Sequence, residues 1–260
     1  MAPVIATARV STKGQITIPV CLRRNMGLRA GSFVTFIREN DGTISLLGAT
    51  LAALRQAQES FAGAAQERGI RRHQDLNRLI RRVQVLGSLD STTLAPPVPP
   101  THRPCIAYTV RVMVDASVLL AAILLPSRDS QETFRICSRS PYALVIAQPT
   151  IREALSVAHT IWPQHSSALR SFFERADYEY IPSPRRLPRT RALQLPQRPN
   201  AVQTYMAALT SRVSILLSYT RDFSGLHPPH LTIMSPRVFA RRYGSVSSGD
   251  DEPDGTPAST

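Results

Sequence analysis

Between residues 110 and 243, apolar runs of strand length alternate with segments of helical pattern. The first run, residues 110–114, is almost wholly apolar and ends at Asp115. Strands that alternate with helices favour a parallel sheet covered on both faces. We therefore predict an α/β domain here. Its further strands are predicted at residues 144–146, 214–217 and 232–234, and its helices at residues 118–125, after Pro149, at 201–210 and from 235.

Acidic side chains follow two of these strands, and a third stands on a predicted helix. Asp115 follows the first strand, Asp222 follows residues 214–217, and Glu153 lies on the helix after Pro149. Functional residues of such sheets gather at the carboxyl ends of the strands, which is where Asp115 and Asp222 stand.

Each acid taken singly also has an ordinary structural interpretation. Asp115, with Ser117 nearby, fits the N-cap of the next helix. Glu153, in the first turn of its helix, suits the helix dipole, and Asp222 suits a turn. Only the three acids taken together, in this order along the chain, favour a functional site.

Five short motifs follow one another in this half of the chain: VDASVL at 114–119, QPTIREAL at 148–155, AAL at 207–209, TRDF at 220–223 and IMSP at 233–236. Together they resemble the PIN domains, which are metal-dependent ribonucleases and include the VapC toxins. The resemblance covers most of residues 110–243 and implies an α/β/α fold with a parallel sheet. It also implies that Asp115, Glu153 and Asp222 are catalytic residues that hold Mg²⁺ or Mn²⁺, with Ser117 beside the first acid.

The chain departs from this family at two places. Where the family keeps an acid at the start of the helix over 201–210, this sequence has Asn200 and Ala201, and only Asn200 offers a metal an oxygen. A second family position, shortly before Asp222, holds Tyr219 and Thr220. Ligand charge sets cation affinity, so the incomplete set predicts a weakened ribonuclease. The loop over 183–199 is basic instead and suits RNA phosphates or solvent: Arg185, Arg186, Arg189, Arg191 and Arg198.

The first 48 residues have a different pattern. The stretch STKGQITIP at 11–19 contains Lys13, the only lysine in the chain, and Arg23–Arg24 follow it. Gly27, Gly31 and the turn sequence at 40–42 come next. The order predicts a strand, a basic loop with a positive φ at Gly14, a second strand, a short helix opened by Pro19, and a hairpin. A unit of about 45 residues buries too little surface to be stable on its own.

These residues resemble the AbrB/SpoVT/MazE family of swapped-hairpin DNA-binding domains, over about residues 8–47. The resemblance implies an intertwined homodimer that places two basic faces on DNA, its own operator included. Five side chains are predicted to contact DNA: Arg9, Lys13, Gln15, Arg23 and Arg24. Two alternatives stay open, namely burial of Gln15 in hydrogen bonds of the dimer and a merely solvated Arg24.

Residues 49–89 form a predicted helical tail. Two apolar stripes recur at helical spacing, with Gly63 and Gly69 between them and several arginines around the second. The segment 61–70 resembles the tails of VapB-type antitoxins, which wrap a toxin partner. A solvated or dimer-stabilising helical hairpin is the alternative. One arginine of residues 71–82 is expected to lie among the acids and displace the metal.

Two segments lie outside the units described so far. Residues 90–109 are a proline-rich linker, and residues 245–260 are a predicted disordered tail. The net charge of +13 favours polyanions, although a coding bias toward arginine accounts for it equally well. Three cysteines without CxxC spacing support neither disulfides nor zinc. With no signal peptide and no membrane-length apolar run, a soluble cytoplasmic protein without membrane contact is the default prediction.

The first hypothesis is therefore a fused toxin–antitoxin protein, in which residues 1–48 bind DNA, residues 49–89 neutralise, and residues 110–244 form the PIN-like domain. Covalent fusion holds the tail near the acids at high effective concentration. A second hypothesis is an active Mg²⁺-dependent endoribonuclease with a DNA-binding appendage. A third is a non-catalytic regulator whose PIN-like half only dimerises or binds RNA.

Overall fold

The structure, a computed structural model, describes residues 6–28, 32–85, 110–139, 141–184 and 194–244. The predicted linker at 90–109, the predicted tail at 245–260 and the end of the helical segment at 86–89 lie outside these residues. Gly31 and four arginines of the basic loop also lie outside them: Arg185, Arg186, Arg189 and Arg191.

The first unit contains a short helix and an antiparallel hairpin. A single bridge between Val10 and Ile16 stands where two strands were predicted, and the loop between them contains Gly14 at φ 73°. Helix α1 spans Val20–Asn25 after Pro19. Strands β1, Val34–Arg38, and β2, Ile44–Gly48, pair with one another. The predicted hairpin is thus confirmed, whereas an exchange of hairpins between two chains is not shown.

The hairpin turns through the sequence Asn40–Asp41–Gly42. Gly42 has φ 83°, a left-handed conformation that glycine adopts without a Cβ penalty. The Asp41 carboxylate accepts hydrogen bonds from the Thr43 N–H at 3.0 Å and the Thr43 hydroxyl at 2.6 Å. These local contacts fix the register of the pair.

Three helices follow the hairpin and form the tail: α2 is Ala49–Ser60, α3 is Ala64–Glu67 and α4 is His73–Val85. Gly63 and Gly69 lie at the two breaks, with φ values of 82° and 65°. The predicted stripes point inward, and their buried members are Leu54, Ala57, Phe61, Ile70, Leu76, Ile80 and Val83. A solvated helical hairpin does not agree with this burial.

A five-stranded parallel sheet forms the second half of the molecule. Its strands are β3, Val110–Val114; β4, Tyr142–Ala147; β5, Glu179–Ile181; β6, Ile215–Leu217; and β7, Thr232–Met234. The spatial order is β5-β4-β3-β6-β7, so β3 is central and pairs with both β4 and β6. Because Val114 lies opposite Leu217, the residues that follow these two strands leave the sheet side by side.

Helices connect the strands, as the alternation predicts. They are α5, Ala116–Leu124; α6, Arg128–Cys137; α7, Gln148–Ile161; α8, Ser166–Arg175; α9, Pro199–Thr210; and α10, Pro236–Tyr243. Helix α9 begins two residues before its predicted start because Pro199 suits the first helical turn. The pattern predicted neither α6, α8 nor β5.

The two faces of the sheet pack against different helices. Val112 and Val114 belong to the core that contains the buried residues of the tail, α5, α7 and α8. Met113 and Val145 face the other way and pack with buried residues of α9 such as Tyr205. The arrangement is consistent with an α/β/α fold, in which the tail helices complete one layer.

Hydrogen bonds also join the tail to the second half. The Trp162 indole N–H donates to the Ala64 carbonyl at 3.0 Å. The Thr50 hydroxyl donates to the Asp177 carbonyl at 2.9 Å and accepts from the Asp177 N–H at 3.0 Å. Each such bond contributes about 1 kcal/mol net, so most of the attachment energy comes from apolar burial.

Among the residues that the structure describes, no helix combines the length and apolarity needed to cross a membrane.

Candidate acidic cluster at the carboxyl edge of the sheet

The three predicted acids, Asp115, Glu153 and Asp222, come together at one edge of the sheet and are called the acid cluster below. Asp115 directly follows β3, and Asp222 lies in a 3₁₀ turn at Arg221–Phe223 after β6. Glu153 reaches the same place from α7. The three carboxyl groups are close enough to influence one another: the negative charges of Asp115 and Asp222 both raise the pKa of Glu153.

Asp115 is buried and fully engaged with neighbouring donors. One carboxylate oxygen accepts from the Ser117 hydroxyl at 2.6 Å and from the Val118 N–H at 2.9 Å. The other accepts from the Ser218 hydroxyl at 2.5 Å. Burial raises the pKa of Asp115, and these hydrogen bonds oppose that rise. The N-cap interpretation of Asp115 is confirmed, since its side chain caps α5.

Glu153 lies in the second turn of α7, so the interpretation that placed it in the first turn, at the helix dipole, is wrong. Its Oε1 accepts a hydrogen bond from the side-chain amide of Gln84 on the tail. The pKa of Glu153 is raised to about 7: burial is the largest cause, the charge of Arg198 opposes it, and the two neighbouring carboxylates add to the rise.

Asp222 has the opposite electrostatic environment. Burial raises its pKa, but hydrogen bonds and charge from Arg198, with smaller contributions from Thr220 and Arg81, outweigh burial, and the pKa of Asp222 is lowered. The Arg198 Nε lies 2.7 Å from Oδ2, and Nη2 of the same guanidinium also bonds that oxygen. Arg81 on α4 places Nη2 3.7 Å from Oδ1.

Arg198 and Gln84 are the two functional side chains that the sequence did not assign to the site. Arg198 appeared only as a member of the basic loop, yet as the N-cap residue of α9 it turns into the cluster. Gln84 was not singled out at all. An arginine of residues 71–82 was expected to lie among the acids; Arg81 comes within 3.7 Å of Asp222, but its side chain is 53% exposed, and Arg198 is the arginine that contacts both Glu153 and Asp222.

Asn200 lies on the first turn of α9 but is not among the residues that line the cavity inside the cluster. From this helix, the lining residues are instead Ala201 and Thr204. Asn200 therefore supplies no oxygen to this cavity.

The residues as arranged do not fit the predicted cation set of Asp115, Glu153, Asp222 and Asn200. The cavity lined by Asp115, Glu153 and Arg198 is about 10 Å³, enough for about one water, whereas Mg²⁺ keeps several waters in an octahedral shell. Within the described ranges, no group of three or more His, Cys, Asp or Glu side chains has the geometry of a metal site. The physical reason is that protein donors already occupy the carboxylates and guanidinium groups supply the positive charge.

The five predicted DNA-contacting residues, Arg9, Lys13, Gln15, Arg23 and Arg24, are all exposed. Gln15 is thus free of burial within one chain. The loop folds on itself through the Gly14 N–H to the Ser11 carbonyl at 2.9 Å and the Gln15 N–H to the Ser11 hydroxyl at 3.1 Å. Arg23 and Arg24 form the last turn of α1.

Large apolar side chains are also exposed on this unit: Val10, Ile16, Val20, Phe33, Phe36 and Ile44. A groove of about 720 Å³ lies between the hairpin and helices α2 and α8, and Phe33 and Phe36 line it. The first unit therefore leaves more of its large apolar side chains exposed than buried.

No family model, curated protein or solved structure matches this chain.

Proposed function

We propose that this protein is a fused antitoxin–toxin-type regulator: a homodimeric DNA-binding unit of the AbrB kind, joined by a neutralising tail to a PIN-like half that is held closed. The proposal rests on the position of the tail, which packs into the core of the second half and reaches the acid cluster. The tail thus plays in one chain the part that an antitoxin plays on a separate toxin.

The extent of the packing argues that docking is the resting state. Residues such as Leu76 and Ile80 on α4 are fully buried against the second half. Each buried leucine or isoleucine is worth about 1.5–3 kcal/mol relative to exposure. Several such residues together make a detached tail a rare species.

The tail also closes the cluster chemically. Gln84 bonds Glu153, and its amide oxygen accepts from Arg198 Nη1 at 2.8 Å. Ile80 lines the small cavity, and Arg81 approaches Asp222. With α4 in this position, the side chains of Glu153 and Asp222 are only 9% and 8% exposed, which leaves a phosphodiester little access to them. These contacts favour the non-catalytic regulator over a freely active ribonuclease.

DNA binding by the first unit is supported by its exposed basic side chains and its exposed apolar surface. Arginine and lysine neutralise phosphates, and arginine also bonds guanine edges. A second copy of the chain is the partner proposed for the apolar surface, since a dimer supplies the core that one copy lacks. Two such units then bind a symmetric or repeated operator.

Binding of the full chain to duplex DNA tests the proposal. The wild-type chain selects duplexes from a random library, and the selected DNA is then used to compare variants at several salt concentrations. Lys13→Ala combined with Arg23→Ala should weaken binding by at least about tenfold and reduce its salt dependence, because phosphate contacts are lost.

The matched control removes two exposed arginines of α10, Arg237→Ala with Arg241→Ala, which changes the net charge equally. This variant should keep its affinity to within about threefold. If both variants lost affinity equally, binding would depend on net charge alone, which would contradict a specific DNA-binding loop.

A further inference from the structure

Arg198 occupies the centre of the acid cluster. Its Nε lies 2.7 Å from Asp222 Oδ2, its Nη1 lies 2.8 Å from Gln84 Oε1, and the same Nη1 lies 3.8 Å from Glu153 Oε1. The side chain is only 19% exposed, although it is an arginine in an arginine-rich chain. It starts at the N-cap of α9, two residues before Asn200.

We propose that Arg198 is the resident cation of the acid cluster, so that an internal guanidinium holds the place of a divalent metal ion. A guanidinium is planar and always charged, and its donors form a fork that matches a carboxylate, which lets one side chain serve several oxygens. The inference deepens the proposed function and rests on it for the role of the tail. The occupancy itself rests on the contacts of Arg198.

Charge and space both support this assignment. Three carboxylates within one site repel one another, and an unpaired buried charge is strongly unfavourable. Arg198, aided by Arg81, provides the compensating charge from the protein itself. The cavity of about 10 Å³ leaves no room for a second cation with its waters.

Arg198 also gives the tail its recognition point. The Gln84 amide donates to Glu153 and accepts from Arg198, so it matches an anion beside a cation with one group of each polarity. With Arg198 replaced by a metal ion, the amide oxygen would lose its N–H donor. The contact between the tail and the acid cluster therefore depends on Arg198.

Direct Mn²⁺ binding to the full chain tests the assignment. The free Mn²⁺ resonance, measured by electron paramagnetic resonance at up to about 1 mM, reports bound metal independently of any activity or DNA. Wild-type protein should bind no Mn²⁺ at the cluster. Arg198→Ser should bind one Mn²⁺ per chain, and adding Asp115→Asn to that variant should abolish this binding.

The matched control is Arg111→Ser, which breaks the bidentate Arg111–Glu179 ion pair elsewhere in the sheet and should bind no Mn²⁺. The acidic stretch at residues 250–254 is the same in every variant, so weak binding there cancels in the comparison. Thermal melting with and without Mn²⁺ should show stabilisation of Arg198→Ser alone.

Two results would overturn the inference. One is wild-type protein that binds Mn²⁺ about as tightly as Arg198→Ser does and loses this binding when Asp115→Asn is introduced. The metal would then displace the arginine from the site. The other is a folded Arg198→Ser chain that binds none. The wild-type measurement needs no variant to fold, and failure of the proposed function would appear in DNA binding instead.

Discussion

Within residues 6–28 and 32–48 no side chain is buried, whereas the second half contains fully buried aromatic residues such as Phe134, Trp162 and Phe173. The two regions lie in one chain and are both rich in arginine. The difference is in how each region excludes water: the second half does so with its own helices and those of the tail, whereas the first unit leaves its large apolar side chains exposed. A second copy of the chain is the partner proposed above for the first unit, whereas the tail already covers one face of the second half.

The tail belongs energetically to the second half. By sequence it continues the first unit, and its resemblance to antitoxin tails groups it there. By packing, its buried residues share a core with Val112, Val114 and α7. Chain order and the unit of burial thus differ in this protein, and the joint between the two regions lies at Gly48, before α2.

The largest effect is expected for Leu76→Ala on the tail. Leu76 is completely buried, and its truncation should lower the free energy of unfolding of the second half by about 3 kcal/mol through lost burial and a cavity. Chemical denaturation of the full chain measures this change.

The control is Phe36→Ala, a larger truncation in the first unit at a side chain that is 66% exposed. It should change the free energy of unfolding of the second half by less than about 0.5 kcal/mol. It should also weaken self-association in sedimentation. Equal effects of the two variants on unfolding would remove the contrast between the regions.

An intermediate effect is expected from pH, because only the second half buries a carboxyl group with a strongly raised pKa. Glu153 has its pKa raised from an ordinary 4.5 to about 7. Between these values the folded state binds the proton more tightly than the unfolded state, so stability falls as pH rises through this window. Glu153→Gln should remove that loss and gain roughly 2 kcal/mol over wild type near pH 8.

Below about pH 4.5 the two proteins should be similarly stable, since both then carry a neutral group at this position. Glu67→Gln on the exposed face of α3 controls for the loss of one negative charge. A Glu153→Gln chain that is less stable than wild type near pH 8 would show that the ionised carboxylate is needed.

The smallest effect is expected for Gly27→Ala, which tests a close approach of the first unit to the second half. Gly27 has φ 64°, and a Cβ there would lie 1.6 Å from the Ser138 carbonyl oxygen. The substitution should loosen residues 6–48 by about 1–2 kcal/mol and leave the second half folded. Hydrogen exchange of both regions measures this difference.

Gly42→Ala is the matched control. It imposes a similar positive φ of 83°, but nothing lies within 4 Å of the added Cβ. It should cost backbone strain in the hairpin without exposing the contact at Ser138. If both variants raised exchange at Ser138 equally, strain alone would explain the effect.

The sequence indicated the regular elements well where periodicity and capping agree. Residues 110–114, the helix with Glu153 and the strand at 232–234 lie where alternation placed them. Helices α6 and α8 were missed although both have apolar stripes. The short strand β5 has only three residues, too few for a period to appear.

The acid cluster was predictable in part for the same reason. Asp115 and Asp222 follow adjacent parallel strands, so topology alone brings them together. Arg198 was not predictable, because its direction depends on the tertiary path into α9 rather than on any spacing. Gln84 acts across 69 positions from Glu153, a separation that no local pattern encodes.

Trp162 is the only tryptophan in the chain, and its indole is fully buried against the tail. The ring meets Phe61 edge-on at 6.1 Å and donates its N–H to the Ala64 carbonyl. Tryptophan fluorescence of this protein, excited selectively at the red edge of the absorption band, therefore comes from a single residue at the contact between the tail and the second half. Detachment of the tail would bring water to the indole and shift its emission to longer wavelengths, so the closed state has a built-in optical reporter that needs no label.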